Sequence, residues 1–284
     1  MTSGMHTTLP ASWFTSDTFY QFERRAVFLK SWYLLGPVTK FSSEKPSTYE
    51  FAGVSLEVVR HASTDSISVL SLDGHKPLRH HITATGLLFT SLSSSAPGFE
   101  EFFPGLESLL SSVDFTALPY RRSIAYEGNF NWKTMLDGYQ ECLHCQYTHP
   151  AFSKIYSPTM YHVSNHTNYC QHFADPKKPN DGLFLYFFPN CTLNVYGGGM
   201  SLFRVCPKDH SGRTRMEFDY FHMQEGEPFE EYYRFVRQVA LEDFELCEKT
   251  QENLERGVYA EGILNPAKET GVACKYQSLT HSGS

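Results

Sequence analysis

The chain has 284 residues, 41% hydrophobic and 15% aromatic, with a formal net charge of −7. That length suits one large domain, or one domain with a small companion, around a sizeable core. The sequence shows no basic stripe, polybasic patch or membrane-length apolar run, which argues against nucleic acid and membrane as partners. The first residues lack the apolar run of a signal peptide, so a cytoplasmic protein is expected.

Residues 16–34 read as one helix opened by Ser16, with Phe19, Phe22, Val27 and Phe28 on its apolar face. Residues 48–90 contain short β-like runs punctuated by Gly53, Asp73-Gly74 and Gly86. The polar stretch 91–98 is the candidate boundary. A strand is expected over 120–130, then a helix that opens the segment NWKTMLDGYQECLHCQYTHPAF. Four strands follow, at 183–189, 191–196, 200–206 and 213–222, with links short enough for antiparallel neighbours. In the last, Met216, Phe218 and Tyr220 alternate with Arg215, Glu217 and Asp219, which predicts a dry face and a wet one. A long helix is expected over 228–256, ended by Gly257. Sheet first and helix last predicts an α+β fold with the helix covering the sheet.

The chemistry concentrates in Glu141–His149, nine residues with one Glu, two His and two Cys. Glu141 and His144 are three apart and would share a helical face. His149 precedes Pro150, which pushes it out of the helix and lets it turn back. Two imidazoles suit iron, zinc or copper but usually need a third ligand. On the long helix the apolar stripe includes position 243, which is Asp; its neighbour Glu242 falls off the stripe, where water can reach it. A carboxylate on such a stripe is costly unless paired or metal-bound. One reading is a seam Asp bridged to an Arg or Tyr. The other is a two-His, one-carboxylate metal site.

All seven cysteines lie at or after Cys142. An odd count without a secretory signal argues against a disulfide framework. Cys142 and Cys145 are read as small packing groups. A local zinc site from Cys142, His144, Cys145 and His149 is the disfavoured alternative, because the ligands interleave too tightly and no second CxxC exists.

At this point the segment resembles the large subunit of Rieske-type non-haem iron oxygenases, in the branch with choline monooxygenase-like and carnitine oxygenase-like enzymes. The motif stands here as Asn131-Trp132-Lys133, then Asp137-Gly138-Tyr139-Gln140-Glu141-Cys142-Leu143-His144-Cys145, then His149-Pro150. LPASWFTSDTFYQFERRAVFLKSWYLLGPV, FFPNCTLNVYGGG and LEDFELCEKTQENLERGVYAEGILNP resemble the family's opening segment, pocket strand and C-terminal helix. The resemblance implies a helix-grip (START/Bet v1-like) catalytic domain and mononuclear Fe(II) held by His144, His149 and Asp243. It implies that Glu141 bridges to a cluster histidine of a neighbouring subunit. The catalytic domain would comprise 1–38 and 99–284, with 39–98 a shortened remnant of the cluster domain. The sequence departs from the family at Gly138, where an Asn is usual, and at Leu143, where a Tyr is usual.

The larger departure is the [2Fe–2S] cluster, which needs two Cys and two His ahead of the catalytic domain. No thiol precedes residue 142, so no such cluster is expected. The implied activity is an oxygenase using O2 on a small organic molecule, with electrons from the substrate, a small reductant, a reductase or a cluster-bearing partner chain. Homo-oligomers fit the same resemblance. The alternatives are a non-redox metal-dependent hydrolase, lyase or isomerase, and a catalytically silent binding relative. Phe184, Tyr186 and Phe188 alternate along one strand and are expected to form an aromatic substrate wall for a cationic or aromatic molecule. The competing reading places the same rings in the core.

Overall fold

The computed structural model describes residues 7–174 and 182–281. After a one-turn helix at Ser12–Thr15 come helix α1 (Asp17–Ala26), strand β1 (Trp32–Pro37), and strands β2 (Ser47–Phe51), β3 (Val54–Arg60), β4 (Ile67–Ser71), β5 (Arg79–Ile82) and β6 (Leu87–Ser91). These strands make two three-stranded sheets, in orders β1-β6-β5 and β2-β3-β4. The single helix expected over 16–34 is corrected here: α1 ends at Ala26 and residues 32–37 are extended. Every residue of β1 is buried. An apolar run buried on both sides has no periodicity to tell strand from helix.

Strand β7 (Tyr120–Gly128) leads into helix α2 (Trp132–Tyr139), capped by the Asn131 side chain on Lys133 N at 3.1 Å. Two short helices follow, α3 (Cys145–Thr148) and α4 (Pro150–Ile155). Then come β8 (His162–His166), β9 (Tyr169–Phe173), β10 (Leu183–Phe187), β11 (Cys191–Tyr196), β12 (Gly199–Pro207) and β13 (Thr214–His222). They form a seven-stranded antiparallel sheet in the order β7-β13-β12-β11-β10-β9-β8. Helix α5 (Glu227–Glu255) covers it, and α6 (Thr270–His281) closes the described chain. The fold is α+β with antiparallel sheets.

Helix α5 meets the sheet through rings. Tyr233 packs on Tyr220 at 5.0 Å, Tyr232 on Tyr196 at 5.4 Å and Phe244 on Tyr126 at 6.3 Å between centroids. The helix comes so close at Gly199 that a Cβ there would sit 2.9 Å from Tyr232. A side chain at 199 would push α5 off the sheet.

Arg215 and Glu217 on β13 are partly exposed as expected, but Asp219 is 1% exposed. The expected wet face is covered there by the N-terminal segment. Lys40 Nζ lies 2.6 Å from Asp219 Oδ2 and Arg204 Nη2 lies 2.7 Å from the same oxygen. A second buried pair, Lys133 with Glu23 at 2.7 Å, ties α2 to α1. Charges with no exposure can stay ionised only because they are paired.

Candidate metal centre

The segment expected to be one helix is broken at the point where the chemistry begins. Helix α2 ends at Tyr139, and Glu141 to His144 form a turn before α3. Glu141 and His144 therefore do not share a helical face. The turn still brings them together: Glu141 Oε1 accepts from His144 Nδ1, and Oε2 accepts from Leu143 N. His149 leaves α3 with φ −117° and ψ 71°, outside the α region that its following proline disfavours. Its ring then points to α5.

Two imidazole nitrogens and one carboxylate oxygen converge. His144 Nε2 lies 3.1 Å from His149 Nε2. Asp243 Oδ1 lies 2.9 Å from His149 Nε2 and 3.3 Å from His144 Nε2. Ligand atoms about 2.1 Å from a metal are about 3.0 Å apart when they subtend a right angle, and about 3.4 Å apart at the tetrahedral angle. The three edges average nearer the first value, the shape of one face of an octahedron. The donor set and its spacing therefore fit a 2-His-1-carboxylate metal centre.

The electrostatics agree with a place for a cation. Burial pulls the His144 imidazole down, but hydrogen bonds to Asp243 and Glu141 outweigh it and push His144 up to about 10. His149 is likewise raised, against the same burial, by Asp243 and Glu242. Burial would raise Asp243, yet the two imidazoles hold it below the usual carboxylate value.

Glu242 is the residue that periodicity missed. It was expected in water. Instead Oε2 accepts from His149 Nδ1 at 2.8 Å, while Gln238 Nε2 holds Oε1 at 2.9 Å. Each histidine thus turns Nε2 toward Asp243 because a carboxylate takes its Nδ1, Glu141 for His144 and Glu242 for His149. The only hint in the sequence is adjacency to Asp243.

Cys142 and Cys145 are joined by a disulfide, which corrects the reading of both as free packing groups. Three residues of separation in a tight turn put the two sulfurs in reach. Cys145 Sγ lies with the two histidine nitrogens within 4.8 Å. A disulfide sulfur is not a thiolate ligand, so the local zinc alternative loses both of its thiolates.

A cavity of about 130 Å³ opens on one side of this centre. Strand register builds its far wall: Phe184 pairs with Asn194 across β10 and β11, and Asn194 with Ser201 across β11 and β12. Phe184 stacks on Tyr196 at 5.6 Å, and Phe152, Phe203, Phe218 and Phe235 are among the other rings of the lining. Tyr139 Oη donates to Asn194 Oδ1 at 2.7 Å. No Lys or Arg lines the cavity among the described residues. The expected aromatic wall is corrected in part. Phe184 lines the cavity, but Tyr186 and Phe188 are core residues, 2% and 3% exposed. Tyr186 Oη is bonded to Pro189 O at 2.7 Å, and Phe188 lies beyond the end of β10, where alternation no longer holds. Gly138 borders the cavity, and a Cβ there would lie 3.8 Å from His144 Cε1, an ordinary contact. Leu143 lies outside the cavity lining, at the surface.

The family described as "Ring hydroxylating alpha subunit (catalytic domain)" matches residues 115–280. The carnitine monooxygenase oxygenase subunit of Escherichia coli (strain K12) is 24% identical over 343 residues, covering 94% of this chain and 90% of that protein. The structure of a quaternary ammonium Rieske monooxygenase, described for carnitine oxidation and inter-subunit electron transfer, superposes with a TM-score of 0.84 at 18% identity, covering 98% of this chain and 96% of that one. Naphthalene 1,2-dioxygenase from Rhodococcus sp. bound to indole gives 0.73 at 13% identity, with 97% and 94% covered. No helix among the described residues is long and apolar enough to cross a membrane.

Proposed function

The chain belongs to the ring-hydroxylating alpha-subunit family, and on that premise we propose that it is a mononuclear non-haem iron oxygenase whose electrons come from outside its own polypeptide. The observation that carries the reading is the convergence of His144, His149 and Asp243, each histidine oriented by its own carboxylate. Fe(II) held by His144, His149 and Asp243 would supply O2 activation. The chain's residues supply the rest. Glu141 and Glu242 fix the imidazole tautomers, with the proton on Nδ1 and the lone pair on Nε2. The aromatic lining excludes water and grips the substrate.

Acidic groups at one end and ring faces around the rest favour a small cationic or aromatic molecule. The sheet with α5 across it is read as a helix-grip (START/Bet v1-like) domain formed by 1–38 and 99–284. Residues 39–98 are read as the reduced counterpart of the cluster domain. Two facts support the absence of a [2Fe–2S] cluster: no cysteine precedes residue 142, and the stretch aligned to the E. coli protein, 343 positions, is longer than this chain. Electrons would then reach the iron from a reductase or a cluster-bearing chain, in an assembly of subunits.

The test is metal analysis of the purified protein together with O2 uptake against a panel of quaternary ammonium and aromatic compounds. The panel is run with and without a reductase and a cluster-bearing homologue. Substrate-dependent O2 uptake with iron bound supports the proposal. The missing thiols also favour a second reading, a non-redox hydrolase, lyase or isomerase with the metal as Lewis acid. Turnover with zinc in the absence of O2 would select that reading.

A further inference from the structure

Cys142 and Cys145 stand on either side of His144, and their disulfide closes the turn between α2 and α3 that carries this imidazole. Both residues are 5% exposed and both line the aromatic cavity beside the metal centre. Cys145 Sγ lies 4.0 Å from His144 Nε2. It also lies within 4.8 Å of a ring nitrogen of His149. One metal holding sulfur at about 2.3 Å and nitrogen at about 2.1 Å spans donors up to about 4.4 Å apart. The first contact is already inside that span, and the second misses it by no more than about 0.4 Å. Cys145 is thus placed as a further donor to the two imidazoles, and the S–S bond keeps it out of use.

We propose that the Cys142–Cys145 disulfide is a redox modification site that selects the metal. Closed, it leaves the 2-His-1-carboxylate centre as described. Opened, it lets Cys145 join His144 and His149 as a thiolate ligand for a softer ion of the zinc type. The inference rests on the metal centre of the proposed function and not on its oxygenase reaction.

Opening takes a small dithiol, which reaches the sulfurs through the cavity that both cysteines line. One of its thiolates attacks a sulfur of the disulfide. The protein S–S bond breaks, a mixed disulfide forms, and the other cysteine leaves as a thiolate that takes up a proton. The second thiol of the reductant then attacks the mixed disulfide and frees the second cysteine. The protein gains two electrons and two protons, and the dithiol loses them as its own disulfide. Metal binding at Cys145 releases that thiol's proton to solvent.

Selection follows from donor softness. Two imidazoles and a carboxylate suit Fe(II), whereas a thiolate shifts a site toward zinc or Cu(I). Opening the S–S bond also restores rotation of Cys145 about Cα–Cβ, which closes the remaining gap to His149. The Glu141 and Glu242 contacts involve neither sulfur, and they keep both Nε2 atoms turned to the metal.

The test reads Co(II) absorption on the full chain, before and after reduction with dithiothreitol, with the reductant removed under argon before metal is added. The starting protein is treated with oxidised glutathione, and peptide mapping should find Cys142 linked to Cys145. Co(II) should then bind with visible d–d bands and no thiolate band. After reduction a near-ultraviolet sulfur-to-cobalt charge-transfer band should appear. Cys142→Ser, in which Cys145 has no partner sulfur, should show that band without reduction. Cys145→Ser should lack it in both states. Both variants are checked for native circular dichroism, and the comparison within the unmutated chain stands without them. Co(II) bound to the reduced protein with no thiolate band would overturn the proposal and leave the metal centre standing. So would a band that survives Cys145→Ser, or two free thiols at Cys142 and Cys145 after oxidised glutathione. No Co(II) binding in either state would remove the centre and the proposal together.

Discussion

His149 Nδ1 lies 2.8 Å from Glu242 Oε2, while its Nε2 lies 2.9 Å from Asp243 Oδ1. Two adjacent residues of one helix thus hold opposite edges of one imidazole. The arrangement predicts that Glu242→Gln weakens metal binding by roughly 10- to 100-fold, the usual cost of losing an orienting carboxylate. Isothermal titration with Fe(II) under anaerobic conditions, or with Co(II), measures it. An unchanged dissociation constant would show that Asp243 alone orients His149.

Glu141 makes the matching contact to His144, and its other oxygen is taken by Leu143 N. Both oxygens are engaged within this chain. Glu141→Gln keeps an acceptor oxygen and removes the charge. It should retain metal, with affinity lowered by about tenfold, and keep most of the rate that the lone protein shows. If turnover needs a cluster-bearing chain, and the variant loses that turnover with metal still bound, Glu141 bridges subunits instead.

The cavity assignment separates two residues of the same strand. Removing a ring that grips a cation costs about 0.5–2 kcal/mol, so Phe184→Ala should raise KM roughly 2- to 30-fold for a cationic substrate with less change in kcat. Tyr186→Phe removes a buried hydrogen bond to Pro189 O. It should cost about 1 kcal/mol of stability and leave KM unchanged. A KM effect at Tyr186 and none at Phe184 would reverse the assignment.

Asp219 sets an acid limit on the fold. Burial would raise it, but Arg204 and Lys40 outweigh burial and hold it at about 2, below its ordinary 3.8. A depressed carboxylate stabilises the folded state above its unfolded value, and that contribution is lost as pH falls from about 4 toward 2. Asp219→Asn leaves buried Lys40 without its carboxylate and Arg204 with Glu217 alone, which costs about 3–5 kcal/mol near neutrality. Urea unfolding at pH 7 and at steps down to pH 2.5 should show the variant and the parent converging only in the acid range. A constant gap across all pH values would assign the loss to packing rather than charge.

The sequence by itself determined the elements whose pattern is local. Residues 183–222 alternate and turn over short spans, so the meander β10 to β13 and the helix after it were legible almost to the residue. The same periodicity put Asp243 on the inner stripe of α5. The spacing of His144, His149 and Pro150 marked where a side chain must leave a helix. What the sequence left open depends on contacts between distant segments. Residues 32–37 are buried on both faces, which erases the period that separates strand from helix. Asp219 is buried because the segment carrying Lys40 folds over a face that alternation alone leaves wet. Glu242 engages His149 because the fold sets that ring against α5 from a distant segment, and no spacing within α5 encodes that approach. Tyr186 shares alternation with Phe184, but cavity and core divide along the strand's length, and only the packing of neighbouring elements decides where one ends and the other begins.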